Sequence, residues 1–401
     1  MASVLHRAAA TFPAILVTGA RQTGKTTLLR NEFEASHRYV SLEAPHVRLR
    51  AAEDPVGFLR ENPPPLILDE IQYAPDLLPY IKDQIDQDRT PGRWLLTGSQ
   101  TFGLMKGVSQ TLAGRVAVLE LLPLSTAETA KVPGPASMDA LIRKVFGDSQ
   151  PTGAGPPIDL GDWLLRGGYP EPRLNPLVDR SLWFGSYVQT YLERDVRDLA
   201  HVGDLGTFTR FLTLVAARTG TIVNLAELGA EAGVTGPTAR RWLSVLEASG
   251  IVCLLQPFHR SFGRRIRKSP KLYMLDPGLA TYLMGLHTPE AALQSAFAGP
   301  LVETSVLSEW IKAFRHRGER PGLFYWRSGS GLEVDLIIEW GGHLYAVEVK
   351  ATATPVPNHA NALSRWLRLA GGSARGVIAC NIERPCTLRP GIRAVPWHLA
   401  W

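Results

Sequence analysis

Gly19-Ala20-Arg21-Gln22-Thr23-Gly24-Lys25-Thr26-Thr27 decides the fold of the first part of this chain. The stretch fits G-x-x-x-x-G-K-[ST] at every constrained position. An apolar run, Ala14–Thr18, precedes it, and a helical pattern, Lys25–Phe33, follows. Glycines let the backbone curl until its N–H groups face phosphate oxygens, and the helix behind presents its N-terminus to the same anion. Lys25 is expected to pair with the β and γ phosphates of ATP, and Thr26 to hold Mg2+. Gly19, Ala20, Arg21, Gln22, Thr23, Gly24 and Thr27 complete the cradle. The bland alternative is a turn that binds nothing. Motif, preceding strand and following helix together argue against it.

Working outward, Tyr39–Leu42, Leu66–Leu68 and Trp94–Thr97 read as further buried strands. Strands alternating with helices imply an α/β fold, a parallel sheet with helices on both faces. Leu66-Ile67-Leu68 runs into Asp69-Glu70, placing two carboxylates at the carboxyl edge of the sheet, where open α/β sheets bind ligands. This is the Walker B pattern, and Gly19–Thr26 is Walker A. Asp69 is expected to position Mg2+ through water, and Glu70 to polarise the attacking water. The strand Trp94–Thr97 leads into Gly98-Ser99-Gln100. Ser99 is a candidate contact to the γ phosphate or the lytic water, with a helix cap as the competing reading. Arg115, in Leu112-Ala-Gly-Arg115, is a candidate cation for the transition state, acting on a neighbouring subunit; a surface salt bridge is the alternative.

The chain has 401 residues, against ~100–200 for one compact domain, so two or three domains are expected. Apolar residues make up 45%, enough for real cores. No run approaches the ~18–20 apolar residues of a membrane span. The start lacks the charged region and apolar core of a secretory signal. Cys253, Cys380 and Cys386 are scattered and odd in number, which fits a reducing cytosol rather than a disulfide framework or a zinc site. A cytoplasmic protein without a membrane partner is expected.

The formal charge of +6 is a modest excess, but its distribution is uneven. No acidic residue lies between Ala248 and Leu275, where Arg260, Arg264, Arg265, Arg267, Lys268 and Lys271 crowd together. Such a cluster reads as a phosphate-binding surface or as a solvated loop. Its surroundings favour the former. Leu225–Ala232, the turn Gly233-Val-Thr-Gly236 and Pro237–Ser249 read as a helix-turn-helix, with Thr235 as N-cap and Pro237 in the first turn. Ile251–Pro257 and Lys271–Leu275 read as strands of a wing joined by the basic segment. Arg240 and Arg241 on the second helix join the expected DNA contacts, while Trp242 and Leu243 read as inward-facing.

Between these parts, Lys131–Asp159 is rich in Pro, Gly and Ser and reads as a long loop or linker, followed by a mostly helical stretch from Trp163 to about Gly220. Beyond Gly299, Leu332–Glu339 and His343–Lys350 alternate as strands around the turn Gly341-Gly342. The resulting division is residues 1–130, a P-loop domain; 131–220, linker and helices; 221–298, a winged helix; and 299–401, a C-terminal α/β domain. In the last, Asp335 followed by Glu348-Val-Lys350 has the chemistry of a PD-(D/E)xK nuclease. Asp335 and Glu348 are candidate ligands of a divalent ion that activates water, Lys350 a candidate to hold that water, and Glu303 a further acid. A charged pair in a fold that no longer cuts is the competing reading.

The P-loop, the Leu-Asp-Glu strand, Thr97-Gly-Ser, Leu112-Ala-Gly-Arg115 and Leu122-Pro-Leu-Ser125 resemble a family of AAA+ ATPases in which an AAA domain precedes the domain of unknown function 4143. Gly167-Gly-Tyr-Pro-Glu171, Tyr191-Leu-Glu-Arg-Asp195 and Lys271-Leu-Tyr-Met-Leu-Asp276 extend the resemblance over nearly the whole chain. The Pro/Gly-rich stretch near residue 150 departs from it. The resemblance implies an AAA+ nucleotide site, an internal winged helix and a C-terminal restriction-endonuclease-like fold. The expectation is therefore an oligomeric, DNA-binding, Mg-dependent ATPase that remodels or translocates on duplex or branched DNA, as in branch migration. An ATP-gated nuclease and an ATP-dependent switch acting on a protein partner are the alternatives.

Overall fold

The computed structural model describes residues 1–99, 107–108, 110–147, 158–192, 205–259, 269–329 and 331–399. They divide into two compact units. The first comprises Met1–Pro123 with Ala248–Gly250 and Arg315–Glu319; the second holds the remainder. Among the described residues no helix is long and apolar enough to cross a membrane.

The first unit is built on β1 (Ala14–Thr18), β2 (Arg38–Ser41), β3 (Leu66–Asp69), β4 (Trp94–Thr97) and β5 (Val116–Glu120). They pair in parallel in the order β2-β3-β4-β1-β5. Side chains alternate across a strand, so an all-apolar strand needs cover on both faces. β1 and β4 meet that demand. Leu16 and Leu96 pack with Leu66, Leu68, Phe58, Ile81 and Ile85 on one face. Ile15, Val17 and Leu95 pack with Leu5, Leu29 and Phe33 on the other. The Lys25–Phe33 helix thus returns over the sheet directly after the loop that follows β1. β5 was not anticipated; its half-exposed residues mark it as an edge strand rather than a buried apolar run.

In the second unit the expected linker contains a helix. Met138–Phe146 is capped by Ser137, whose hydroxyl accepts from the Ala140 amide, and it buries Met138, Leu141, Ile142, Val145 and Phe146. That spacing is the stripe of an amphipathic helix. The reading of Lys131–Asp159 as loop throughout is corrected accordingly; its core at 150–157 lies outside the described residues.

The helix-turn-helix is present as Leu225–Ala232 and Gly236–Ala248. Gly233 closes the first helix at φ +80°, a left-handed position that glycine adopts without strain. Thr235 Oγ1 accepts from the Thr238 amide at 3.3 Å, so the expected cap is made. Trp242 is buried, edge-on to Phe208 and Phe211. Beside these helices, β6 (Thr221–Ile222), β7 (Val252–Leu255) and β8 (Lys271–Met274) form an antiparallel sheet in the order β6-β8-β7.

The C-terminal sheet contains β9 (Leu323–Arg327), β10 (Glu333–Trp340), β11 (His343–Lys350), β12 (Arg375–Cys380), β13 (Cys386–Arg389) and β14 (Ile392–Pro396). Among the described residues its order is β13-β14-β12-β11-β10-β9, antiparallel at both margins and parallel through β11-β12-β14. Val334, Ile337, Ala346 and Ile378 pack against Leu363 and Trp366 of the Asn361–Ala370 helix. Past its last residue, the chain of β7 runs on beside β9. Gln256 O accepts from the Tyr325 amide at 3.0 Å, and the Phe258 amide donates to Tyr325 O at 2.6 Å.

Candidate functional site

The loop after β1 is held in a shape that few residues besides glycine tolerate. Gly19 lies at φ +140°, Gly24 at +92° and Gln22 at +63°. A Cβ on Gly19 would stand 2.1 Å from the Leu121 carbonyl oxygen, so the loop and the chain leaving β5 touch through bare backbone. Thr23 Oγ1 donates to Ala20 O at 2.9 Å and tightens the turn. Lys25 is buried, and its ammonium donates to Ala20 O at 2.9 Å and Gly19 O at 3.3 Å. The cation is thereby held over the mouth of the loop.

Asp69, at the end of β3, receives three hydroxyls. Thr26 donates to Oδ1 at 2.7 Å, Thr97 to Oδ1 at 2.5 Å, and Tyr39 to Oδ2 at 2.9 Å. Burial, then the hydrogen bond to Asp69, pushes the Tyr39 phenol up to about 12, so it remains a donor through the neutral range. A threonine hydroxyl and a carboxylate side by side at the carboxyl edge of the sheet are the hard oxygen donors that Mg2+ takes, and the arrangement fits that ion. Glu70 follows in a left-handed conformation, φ +59°. Its amide donates to Thr97 Oγ1 at 2.9 Å and its carboxylate accepts from Gln72 Nε2. Ser99 Oγ is buried without a partner among the described residues, as suits a group reserved for a ligand. The sequence reading had not singled out Tyr39 or Gln72. The signal for Tyr39 is a phenol within a short strand whose neighbour ends in a carboxylate.

Lys25, Thr26, Asp69, Glu70 and Ser99 therefore gather at one sheet edge, and Arg115 does not. It immediately precedes β5, which runs parallel to β1 from the Ala14–Val116 pair, so it lies at the amino end of the sheet, whereas the P-loop leaves the carboxyl end. Its guanidinium grips Asp86 with two bonds, of 2.6 and 2.9 Å. A catalytic role within its own chain is excluded, and the salt-bridge reading accounts for it.

A second constellation joins three parts of the second unit. Asp335 on β10 accepts from the Val349 amide at 2.7 Å, beside a register shift in the β9–β10 pairing. Glu348 and Lys350 project from one face of β11, 2.7 Å apart. Glu303, on the Ala298–Arg315 helix, accepts from the Tyr273 hydroxyl at 2.9 Å. Lys271 enters from β8, 3.4 Å from Glu303 and in contact with Glu333. Burial, then the neighbouring Asp335, pushes Glu303 up to about 8 and Glu348 up to about 7. Burial raises Asp335 as well. Burial alone would lower Lys271, yet Glu303, Asp335 and Glu333 together hold it above its usual value.

This corrects one expected DNA contact. Lys271 is only 3% exposed and is committed to carboxylates, so it offers nothing to a phosphate. Among the described residues no group of three or more His, Cys, Asp or Glu is arranged to hold a metal. Arg240 and Arg241 are exposed, as expected. Arg260, Arg264, Arg265, Arg267 and Lys268 lie outside the described residues.

Known proteins share this organisation. Residues 11–130 match the AAA domain family, 158–290 the domain of unknown function DUF8612, and 298–400 the domain of unknown function DUF4143. The uncharacterized proteins Mb2031c of Mycobacterium bovis and Rv2008c of Mycobacterium tuberculosis are each 33% identical, over 98% of this chain and 79% of theirs. Among solved structures, the Walker-type ATPase PABY2304 of Pyrococcus abyssi aligns with a TM-score of 0.40 at 15% identity, covering 70% of this chain and 94% of its own. The RuvB Holliday junction branch migration motor of Thermotoga maritima aligns at 0.30 and 18%, covering 63% and 87%.

Proposed function

Because the chain belongs to the AAA ATPase family with an N-terminal AAA domain and a C-terminal DUF4143 domain, we propose that it is a Mg2+-dependent ATPase that acts on DNA, remodelling or moving along duplex or branched forms as a homo-oligomer. The observation that carries the ATPase reading is the hydrogen-bonded pair of Thr26 and Asp69 beside the buried Lys25. Lys25 Nζ would exchange two loop carbonyls for phosphate oxygens, while the amides of the loop and of the Lys25–Phe33 helix face the same anion. Thr26, and Asp69 through water, would hold Mg2+, which would offset the charge of the phosphates. Glu70, kept at the strand end by its amide bond to Thr97, would orient and polarise the attacking water. Ser99 Oγ would contact the γ phosphate or that water.

Support for DNA comes from the second helix of the helix-turn-helix. Trp242 and Leu243 anchor one face in the core, which leaves Arg240 and Arg241 exposed on the other. Cations fixed on a rigid helix are suited to phosphate contacts. The deciding experiment is steady-state ATP turnover by the full chain, with and without Mg2+, and with single-stranded, duplex and four-way-junction DNA. The reading expects Mg2+-dependent turnover that at least one DNA form accelerates. Turnover indifferent to every form would remove DNA from the proposal, and absent turnover would remove the ATPase.

A further inference from the structure

The C-terminal carboxylates look like a metal site from sequence, yet each is otherwise engaged. We infer that Lys271 takes the charge position of a divalent cation at these carboxylates, so that the folded chain keeps a nuclease-like constellation as a metal-independent ion-pair joint. The ammonium lies between carboxylates from two elements, 3.4 Å from Glu303 on a helix and in contact with Glu333 on β10. It also lies over the rings of Tyr273 and Tyr325, 5.6 and 5.9 Å from their centroids, which favours a cation there.

Two oxygens of the motif carboxylates have donors of the chain's own. Lys350 holds Glu348 Oε1 and the Val349 amide holds Asp335 Oδ2. Glu348 Oε2 is buried without a partner among the described residues. The lysine cannot easily swing aside. Its strand β8 is the middle strand of its sheet, paired to β6 and β7, and its side chain is buried along its length. A dication entering beside a fixed, buried ammonium would meet like charge in a poorly solvated space. The positive charge thus comes from the strand that follows the basic segment, in a part of the chain remote in sequence from the Glu-x-Lys motif. Inspection of the motif alone would miss it.

The inference is independent of the ATPase reading and is tested without nucleotide. Mn2+ is titrated into the full-length chain and bound ion is followed by electron paramagnetic resonance. Native protein should show no bound Mn2+ that is lost in Asp335→Asn. Lys271→Gln should gain one Mn2+ per chain, and adding Asp335→Asn should remove it. Native protein that binds Mn2+ in an Asp335-dependent way overturns the inference. So does the absence of any gain in Lys271→Gln and Lys271→Met when circular dichroism shows both folded. Should neither variant fold, the native protein compared with Asp335→Asn decides alone.

Discussion

Replacing Gly19 by alanine should separate the P-loop from the sheet edge it leans on. The new Cβ would stand 2.1 Å from Leu121 O, about 1.3 Å short of the 3.4 Å at which ordinary contact begins. The obstructing atom is backbone, continuous with β5, whose register with β1 runs from Ala14–Val116 to Thr18–Glu120. It cannot rotate away as a side chain would. Two penalties combine: a non-glycine residue at φ +140° costs ~1–3 kcal/mol, and overpacking a tight contact a further ~1–3 kcal/mol. Their sum, about 2–6 kcal/mol, is a large share of the stability of a typical domain. Differential scanning fluorimetry should show the midpoint of the first unit falling by roughly 10 °C or more. Loop displacement of about 1 Å should also cost on the order of a hundredfold in ATP turnover. Gly114→Ala is the control. It too has positive φ, +73°, but nothing lies within 4 Å of its Cβ, so only the conformational cost of about 1–2 kcal/mol applies. A Gly19→Ala protein with native midpoint and native turnover would refute the claim that this contact shapes the loop.

Lys25→Ala should abolish ATP turnover, while Glu70→Gln should retain ATP binding and slow hydrolysis by roughly 10²–10⁴-fold; fluorescent-nucleotide titration beside phosphate release checks both. Arg240→Ala with Arg241→Ala should weaken DNA binding on every sequence and flatten the log–log salt dependence by about two units, measurable by fluorescence anisotropy. The second unit should lose stability on alkalinisation. Glu303 and Glu348 have folded values raised to about 8 and about 7 from 4.5, so the native state favours their protonated forms. Their contribution is complete below about pH 4.5 and fades as pH rises through 7 and 8. Urea midpoints should fall across that window, and Glu348→Gln should reduce the fall.

Where a local pattern states its own requirement, the sequence was readable. The helix Lys25–Phe33 follows from the glycine-lysine loop, Leu225–Ala232 from its closing glycine, and His343–Lys350 from an apolar run after a paired-glycine turn. Asp69 and Glu70 were readable because an apolar strand has to end at the sheet edge where ligands bind. Other features depend on partners distant in the chain. β5 is half-exposed and carries no continuous apolar run. The Met138–Phe146 helix sits amid Pro and Gly, whose composition masked its apolar stripe. Arg115 stays away from the nucleotide site of its own chain, and Lys271 from solvent, for the same reason. Asp86 and Glu303 capture them, and no spacing rule links those pairs. Tyr39 joins Asp69 only because β2 happens to lie beside β3.

Open sheet margins invite other chains to add a strand, and proteins blunt them by shortening or covering them. The two margins of the C-terminal sheet are treated differently. β13 is only four residues long, a poor template. β9 has its outward Tyr325 amide and carbonyl already matched by Gln256 and Phe258. A hairpin from elsewhere in the same chain thus acts as a built-in shield against polymerisation. It also means that deleting the segment around Gln256 would unmask a sticky strand rather than merely shorten a wing. A second copy of this chain approaching β9 edge-on would find the backbone groups of Tyr325 already taken.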